Sequence, residues 1–296
     1  MFQEIAEKIW YVPSKDDGAY PYSNSLFIND EKKLLLDSGV GRRILKKLIK
    51  TFGTPDIILY SHGHEDHVPC EKFVPTSQKF IHKNDKLMAT SIEELYRVYG
   101  IENSWELREL LDSYFKSFYY RPLTDVKTFT DGKIFDLGQI QVKVLHLPGH
   151  SAGHCGFEIL NESIIFSSDV DLTSFGPWYG ALDSDISTFA ASIKALMQKS
   201  PKFMITSHKG LFVDKAIKEN LELYLNKISE REEKILNYLE KERTIEELVA
   251  PALMYGKLPE PKEYFESGEK IMLEKHLEIL IKANKVEFTQ GKYKAC

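Results

Sequence analysis

The apolar run Ile57-Ile58-Leu59-Tyr60 stops at Ser61-His62-Gly63-His64-Glu65-Asp66-His67, and no other stretch constrains the fold as much. A short β-type run ending in imidazoles and a carboxylate reads as a buried strand opening into a loop at its C-terminal end, where α/β sheets hold their sites. Three histidines and an aspartate packed this densely are costly to bury unless metal or protons satisfy them. Neutral imidazole suits zinc, iron or manganese, and the carboxylate adds charge to hold a second ion. The expectation is an α/β fold with a metal site at a sheet edge.

Three later segments repeat the pattern with one donor each. His150 sits on the tight turn Leu147-Pro148-Gly149-His150, Asp169 follows the apolar Ile164-Ile165-Phe166, and His208 follows Phe203 to Thr206. A lone histidine at a strand end is usually no ligand, but four such strand ends can converge on one edge. His146 and His154 flank the His150 turn and are either orienting groups, leaving-group donors or ordinary strand-end histidines. His82 and His276 lie outside every motif and read as structural. Cys70 and Cys155 are either thiols beside the metals or buried inert side chains.

The rest of the chain frames these segments. Strand patterns at Lys8 to Val12, Ser25 to Ile28, Lys33 to Leu36 and Lys79 to Ile81 precede an aromatic-rich helical stretch from Ser91 to Tyr120. That stretch either packs on the body or forms a cap whose aromatics wall a pocket. Strands resume from Lys127 to His146 and in a hairpin across Asn161-Glu162; a helix covers Ser184 to Gln198, and Phe203 to Thr206 is the last strand expected in this block. Helices dominate beyond Asp214, the second starting behind Thr244 with Glu247 three residues on. A Pro/Gly-broken loop spans Gly256 to Gly268, a helix carries Ile271 to Ile281, and Val286 to Tyr293 reads as a hairpin. Three helices and a hairpin make a winged-helix outline. Its charges roughly cancel and the whole chain carries −5, so DNA binding is not expected and a packing or homodimer-forming appendage is.

The 43% apolar and 28% charged composition is that of a globular protein. Three widely spaced cysteines suit a reducing compartment, and Met1-Phe2-Gln3-Glu4-Ile5 lacks a signal-peptide pattern, so a cytoplasmic protein without a membrane span is expected.

With these motifs in this order, the stretch from about Lys8 to Leu211 resembles the metallo-β-lactamase fold superfamily. The resemblance implies an αβ/βα sandwich over residues 1–213, with residues 91–121 inserted as a helical aromatic cap and residues 214–296 as a winged-helix-like domain. It implies that His62, His64 and His150 hold a first metal, that Asp66, His67 and His208 hold a second, and that Asp169 bridges both. Two divalent ions are expected, zinc first, with iron or manganese as alternatives. Asp66 would also orient the nucleophile, a hydroxide shared by the two metals, for attack on a thioester, ester or phosphodiester. The branch most similar is that of glyoxalase II and the β-lactamase-like protein 2 endoribonucleases, so the substrate is either a small molecule or RNA, the latter served by Arg97, Arg108 and Arg121 near the mouth. Two other readings stay open: an iron sulfur dioxygenase using only His62, His150 and Asp169, and a nucleic-acid-binding regulator acting through the C-terminal domain.

Overall fold

The computed structural model describes residues 2–296, arranged as two sheets face to face with helices on both outer sides. The first sheet runs in chain order: β1 (Gln3–Ala6), β2 (Ile9–Val12), β3 (Ser25–Asn29), β4 (Lys33–Leu36), β5 (Ile57–Leu59), β6 (Gln78–His82) and β7 (Val126–Phe129). Its β1–β4 half is antiparallel, and from β4 to β7 the pairs are parallel. The second sheet contains β8 (Ile134–Asp136), β9 (Gln141–His146), β10 (Cys155–Ile159), β11 (Ile164–Ser168), β12 (Phe203–Thr206) and β13 (Gly210–Val213), ordered 13-12-11-10-9-8. Within it β11 and β12 pair in parallel and the remaining pairs are antiparallel.

Three apolar clusters hold the layers. Leu34 and Leu36 of β4 meet Val142, Phe157 and Phe166 of the second sheet, while Leu35 between them faces the helices with Leu45 and Leu48. Strands buried on both faces read as continuous apolar runs, which is why β4 and β5 show no alternation. The outer face of the first sheet is covered by α1 (Arg42–Phe52), α2 (Lys86–Thr90), α3 (Ile92–Val98) and α4 (Trp105–Ser117). On the second sheet lie α5 (Ile186–Met197), α6 (Lys215–Tyr238), α7 (Ile245–Val249) and α8 (Lys262–Lys282), followed by the small hairpin of β14 (Val286–Thr289) and β15 (Lys292–Ala295). This is the αβ/βα sandwich. The helices after Asp214 share one cluster with α5 and with Ile165 and Met204 of the sheet. The expected cap on α7 is present in both directions: Glu247 N donates to Thr244 Oγ1 at 3.4 Å, and Thr244 N donates to Glu247 Oε2 at 2.9 Å. Among the described residues no helix is long and apolar enough to cross a membrane.

Two expectations need correction, and one strand was not expected at all. Phe203–Thr206 is not the last strand, because β13 folds straight back on it through Thr206↔Gly210 and is too short to carry a pattern of its own. Gln3–Ala6 forms an edge strand that carries no apolar signal, its residues being exposed or half-buried. The loop expected to reach Gly268 ends at Pro261, and Gly268 lies inside α8, where a Cβ would stand 3.2 Å from the Tyr255 hydroxyl and 3.7 Å from the Gly180 carbonyl. Close approach, and not a break in the helix, accounts for that glycine.

Candidate metal centre

The ends of four strands deliver the candidate donors. The loop after β5 supplies His62, His64, Asp66 and His67; the turns after β9, β11 and β12 supply His150, Asp169 and His208. Gly149 makes the His150 turn feasible, since its φ is +125° and a Cβ there would lie 2.3 Å from the Phe189 backbone.

His62 Nε2, His64 Nδ1 and His150 Nε2 stand 3.0–3.2 Å from one another. The edge of a tetrahedral face around an ion at ~2.0–2.1 Å is about 3.3 Å, so this triangle fits a tripod of nitrogen ligands. A second group comprises Asp66 Oδ2, His67 Nε2 and His208 Nε2, with Asp66 at 3.4 and 3.3 Å from the two nitrogens. Asp169 faces both: its Oδ1 is 3.2 Å from His67 Nε2, and its Oδ2 is 3.3 Å from both His150 Nε2 and His208 Nε2. All seven expected positions thus meet at one place.

The outer ring nitrogens fix the tautomers. His67 Nδ1 donates to Asp37 Oδ2 at 2.9 Å, His150 Nδ1 to the Trp178 carbonyl at 2.9 Å, and His208 Nδ1 to the Gly18 carbonyl at 2.7 Å. Ser61 Oγ donates to Asp37, so the His62 Nδ1 beside it, 3.0 Å away, is the donor of that pair. Each of these four histidines therefore turns Nε2 inward, the arrangement by which outer partners orient metal-binding imidazoles. Three lone-pair nitrogens this close can share at most one proton between neighbours, and His67 Nε2 is buried with no hydrogen bond. The donor set fits cations better than it fits itself.

The electrostatics agree. Burial pushes His64 down to about 4 and His150 to about 3, so both stay neutral. Burial opposes charge on His208 as well, yet Asp169 and Asp66 hold it up to about 10. His67 is also held above its ordinary value against burial by Asp66, Asp169 and Asp37. Paired carboxylates draw positive charge here; in the absence of ions, protons supply it.

Several residues that sequence reasoning passed over support the donors. Asp37 binds Ser61 and His67 together and follows parallel strand β4, so the strand-end rule that found Asp169 also marks it. Asp85 braces the two halves of the first triangle, accepting from Gly63 N at 3.2 Å, Ser151 Oγ at 2.6 Å and Gly153 N at 2.5 Å. His154, one of two ambiguous histidines, donates through Nδ1 to the Leu147 carbonyl and accepts at Nε2 from the Asp169 amide at 3.1 Å, so it positions Asp169. His146 instead stacks on His82 at 4.2 Å, away from the donors. His276 accepts from or donates to Tyr179 Oη at 2.7 Å inside the second-sheet cluster. Cys70 and Cys155 are buried with thiols pushed up by burial, and neither belongs to a donor group among the described residues.

The donors floor a cavity of about 320 Å³. Of the cap aromatics only Tyr99 reaches it; Tyr96, Phe115, Phe118 and Tyr120 go into the core, and Trp105 is 70% exposed. The walls are Tyr20, Trp178 and Phe175, with Tyr255, Tyr264 and Phe265 from the C-terminal segment expected to be only an appendage. Arg97 and Arg108 do not serve the mouth either, being paired with Glu94 and Glu93.

The fold and this donor cluster define a metallo-β-lactamase-fold hydrolase. The chain belongs to the family described as Anti-Pycsar protein Apyc1, whose sequence profile matches residues 16–175, more than half of it. It is 25% identical over 160 residues to hydroxyacylglutathione hydrolase GloC of Haemophilus influenzae, an alignment covering 51% of this chain and 68% of that protein. The metallo-β-lactamase family protein TTHA1429 of Thermus thermophilus superposes with a TM-score of 0.76 at 19% identity, covering 99% of this chain and all of that one. TTHA1623, solved in a di-iron-bound form, gives 0.52 at 24% identity over 68% of this chain and 91% of its own.

Proposed function

We propose that the protein is a dinuclear metal-dependent hydrolase acting on an ester, thioester or phosphodiester of a small molecule. The observation that carries this reading is Asp169, whose carboxylate faces both donor groups at 3.2–3.3 Å. A pair of divalent ions, zinc first and iron or manganese as alternatives, would supply an acidic water and a Lewis acid for the scissile carbonyl or phosphoryl oxygen. His62, His64 and His150 would hold one ion, and Asp66, His67 and His208 the other. Asp66 lines the cavity and is placed to accept a hydrogen bond from an attacking water and so orient it. The aromatic walls give the cavity an apolar lining, and His154 and Asp37 keep the donors in register. The three unpaired cysteines support a cytoplasmic setting.

The test is a panel of bis(p-nitrophenyl) phosphate, a p-nitrophenyl ester and an acyl thioester, run on metal-reconstituted protein. Turnover that needs added metal and disappears in Asp169→Ala is expected. Fully loaded protein that cleaves none of the three, or Asp169→Ala that still turns over with empty sites, would sink the reading.

A further inference from the structure

The walls above the donors are a set of flat rings, recruited from four separate parts of the chain. Tyr20 comes from the loop before β3, Tyr99 from the end of α3, Trp178 from the loop before α5, and Tyr255, Tyr264 and Phe265 from the C-terminal segment. They meet edge to face: Tyr20 and Phe265 are 6.0 Å apart at 83°, Tyr99 and Tyr264 5.3 Å at 71°, and Tyr255 and Phe265 5.6 Å at 84°. Together they line the cavity with aromatic surface.

The polar tips of four of these rings are already engaged. Tyr20 Oη donates to Glu65 Oε1 at 2.6 Å and Tyr99 Oη to Glu65 Oε2 at 2.5 Å, so both oxygens of that buried carboxylate are taken. Trp178 Nε1 donates to Tyr255 Oη at 2.7 Å. Glu65 is thus a strut that ties the N-terminal loop and the cap to the metal loop. Among the described residues no lysine or arginine lines the cavity, so above the floor nothing is set to pair with an anion. A cavity of ~150 Å³ already takes up benzene. At about 320 Å³ this one has room for a ring and for the group attached to it at the floor.

We infer that the cavity selects substrates carrying a planar ring without negative charge next to the scissile group, and that Tyr264 and Phe265 of the C-terminal segment, with Tyr20 beside Phe265, determine that preference. The inference rests on the hydrolase reading for its floor. It adds the class of group that the walls take. A flat ring packed against aromatic side chains gains more than its area alone, worth roughly three- to tenfold in affinity over a saturated ring of similar size.

The experiment compares phenylphosphonate with cyclohexylphosphonate, two probes that are not hydrolysed, by calorimetry on zinc-reconstituted full-length protein. The expected result is tighter binding of phenylphosphonate by roughly three- to tenfold. In Phe265→Leu, which keeps apolar bulk without a flat face, the ratio should fall toward one with metal content unchanged. Should Phe265→Leu lose its metal or fold, Tyr20→Leu on the more exposed neighbouring ring reads the same ratio. Equal or weaker binding of the phenyl probe, no binding of either, or a ratio unmoved in the variants overturns the inference. Preference for the ring without turnover of any panel substrate would overturn the hydrolase reading and leave the cage standing; turnover without preference does the reverse.

Discussion

The donor cluster beneath the cavity draws seven side chains from the ends of four strands, five of them lining it, whereas the walls draw rings from three loops, a helix end and the start of α8. The floor is held by directional hydrogen bonds that orient His62, His67, His150 and His208, and His154 between Leu147 and Asp169 positions the shared carboxylate. The walls are held mainly by ring packing and two short hydrogen-bonded struts. Chemistry that must place atoms to a fraction of an ångström goes on strand ends, and selectivity that tolerates adjustment goes on longer-range packing.

The sharpest break between the two regions should come from Asp169→Asn. Removing one charge from the carboxylate that faces both donor groups should lower kcat/KM by about a thousandfold or more, while probe rings still enter the walls. Metal content by plasma emission, measured beside turnover, checks it; two ions retained per chain with near-normal rates would contradict the shared role.

One step outward, Asp37→Asn or His154→Ala should weaken metal binding by ~10–100-fold without touching the walls. Competition against a chromogenic chelator reads this directly. Loading the ion-free protein at pH 7 should also release protons, because His67 and His208 are both held above their ordinary values and must give up their protons to bind. Titrations in buffers of different ionisation enthalpy count them, and affinity should rise with pH. No proton release would mean the two imidazoles are neutral beforehand.

On the wall side, a Cβ at Gly180 would lie 2.8 Å from the Trp178 ring and 3.1 Å from Gly268 Cα. Gly180→Ala should cost about 1–3 kcal/mol and disturb ring preference more than metal content. Denaturant unfolding with paired metal analysis separates the two, and a variant of full stability would show that α8 is not seated there.

The smallest effect lies deeper. Burial, helped by Arg231, pushes His276 down to about 3, so it stays neutral when folded, while in the unfolded chain it takes up a proton below about 6.5. Stability is therefore unaffected well above pH 6.5 and falls as the pH drops through it, with about 1.4 kcal/mol lost by pH 5.5. His276→Gln should remove this part of the acid sensitivity; an unchanged slope of stability against pH would rule it out.

The floor was legible in the sequence because ligand residues are rare, cluster in six positions after β5, and recur singly at three strand ends. The sandwich was legible for a similar reason, since β4, β5 and β11 are buried on both faces and read as apolar runs. Strand β13 was not, because four residues folding back on β12 carry no period. Nor was the wall. Tyr255, Tyr264 and Phe265 are ordinary amphipathic-helix and loop residues until α8 closes over Trp178, a long-range contact that leaves no local trace. Glycine at 268 was the one hint, and it reads equally well as a loop residue.

The donors also come from both sheets, with His62, His64, Asp66 and His67 on the first and His150, Asp169 and His208 on the second. Bound ions would therefore act as a removable rivet between the two halves of the sandwich, joining positions as far apart as 62 and 208. Occupancy at a thousand times the dissociation constant adds about 4 kcal/mol to such a clasp. An enzyme fastened in this way couples its endurance to its readiness: the chain that has lost its ions is at once inactive and easier to open, and so the first to be cleared.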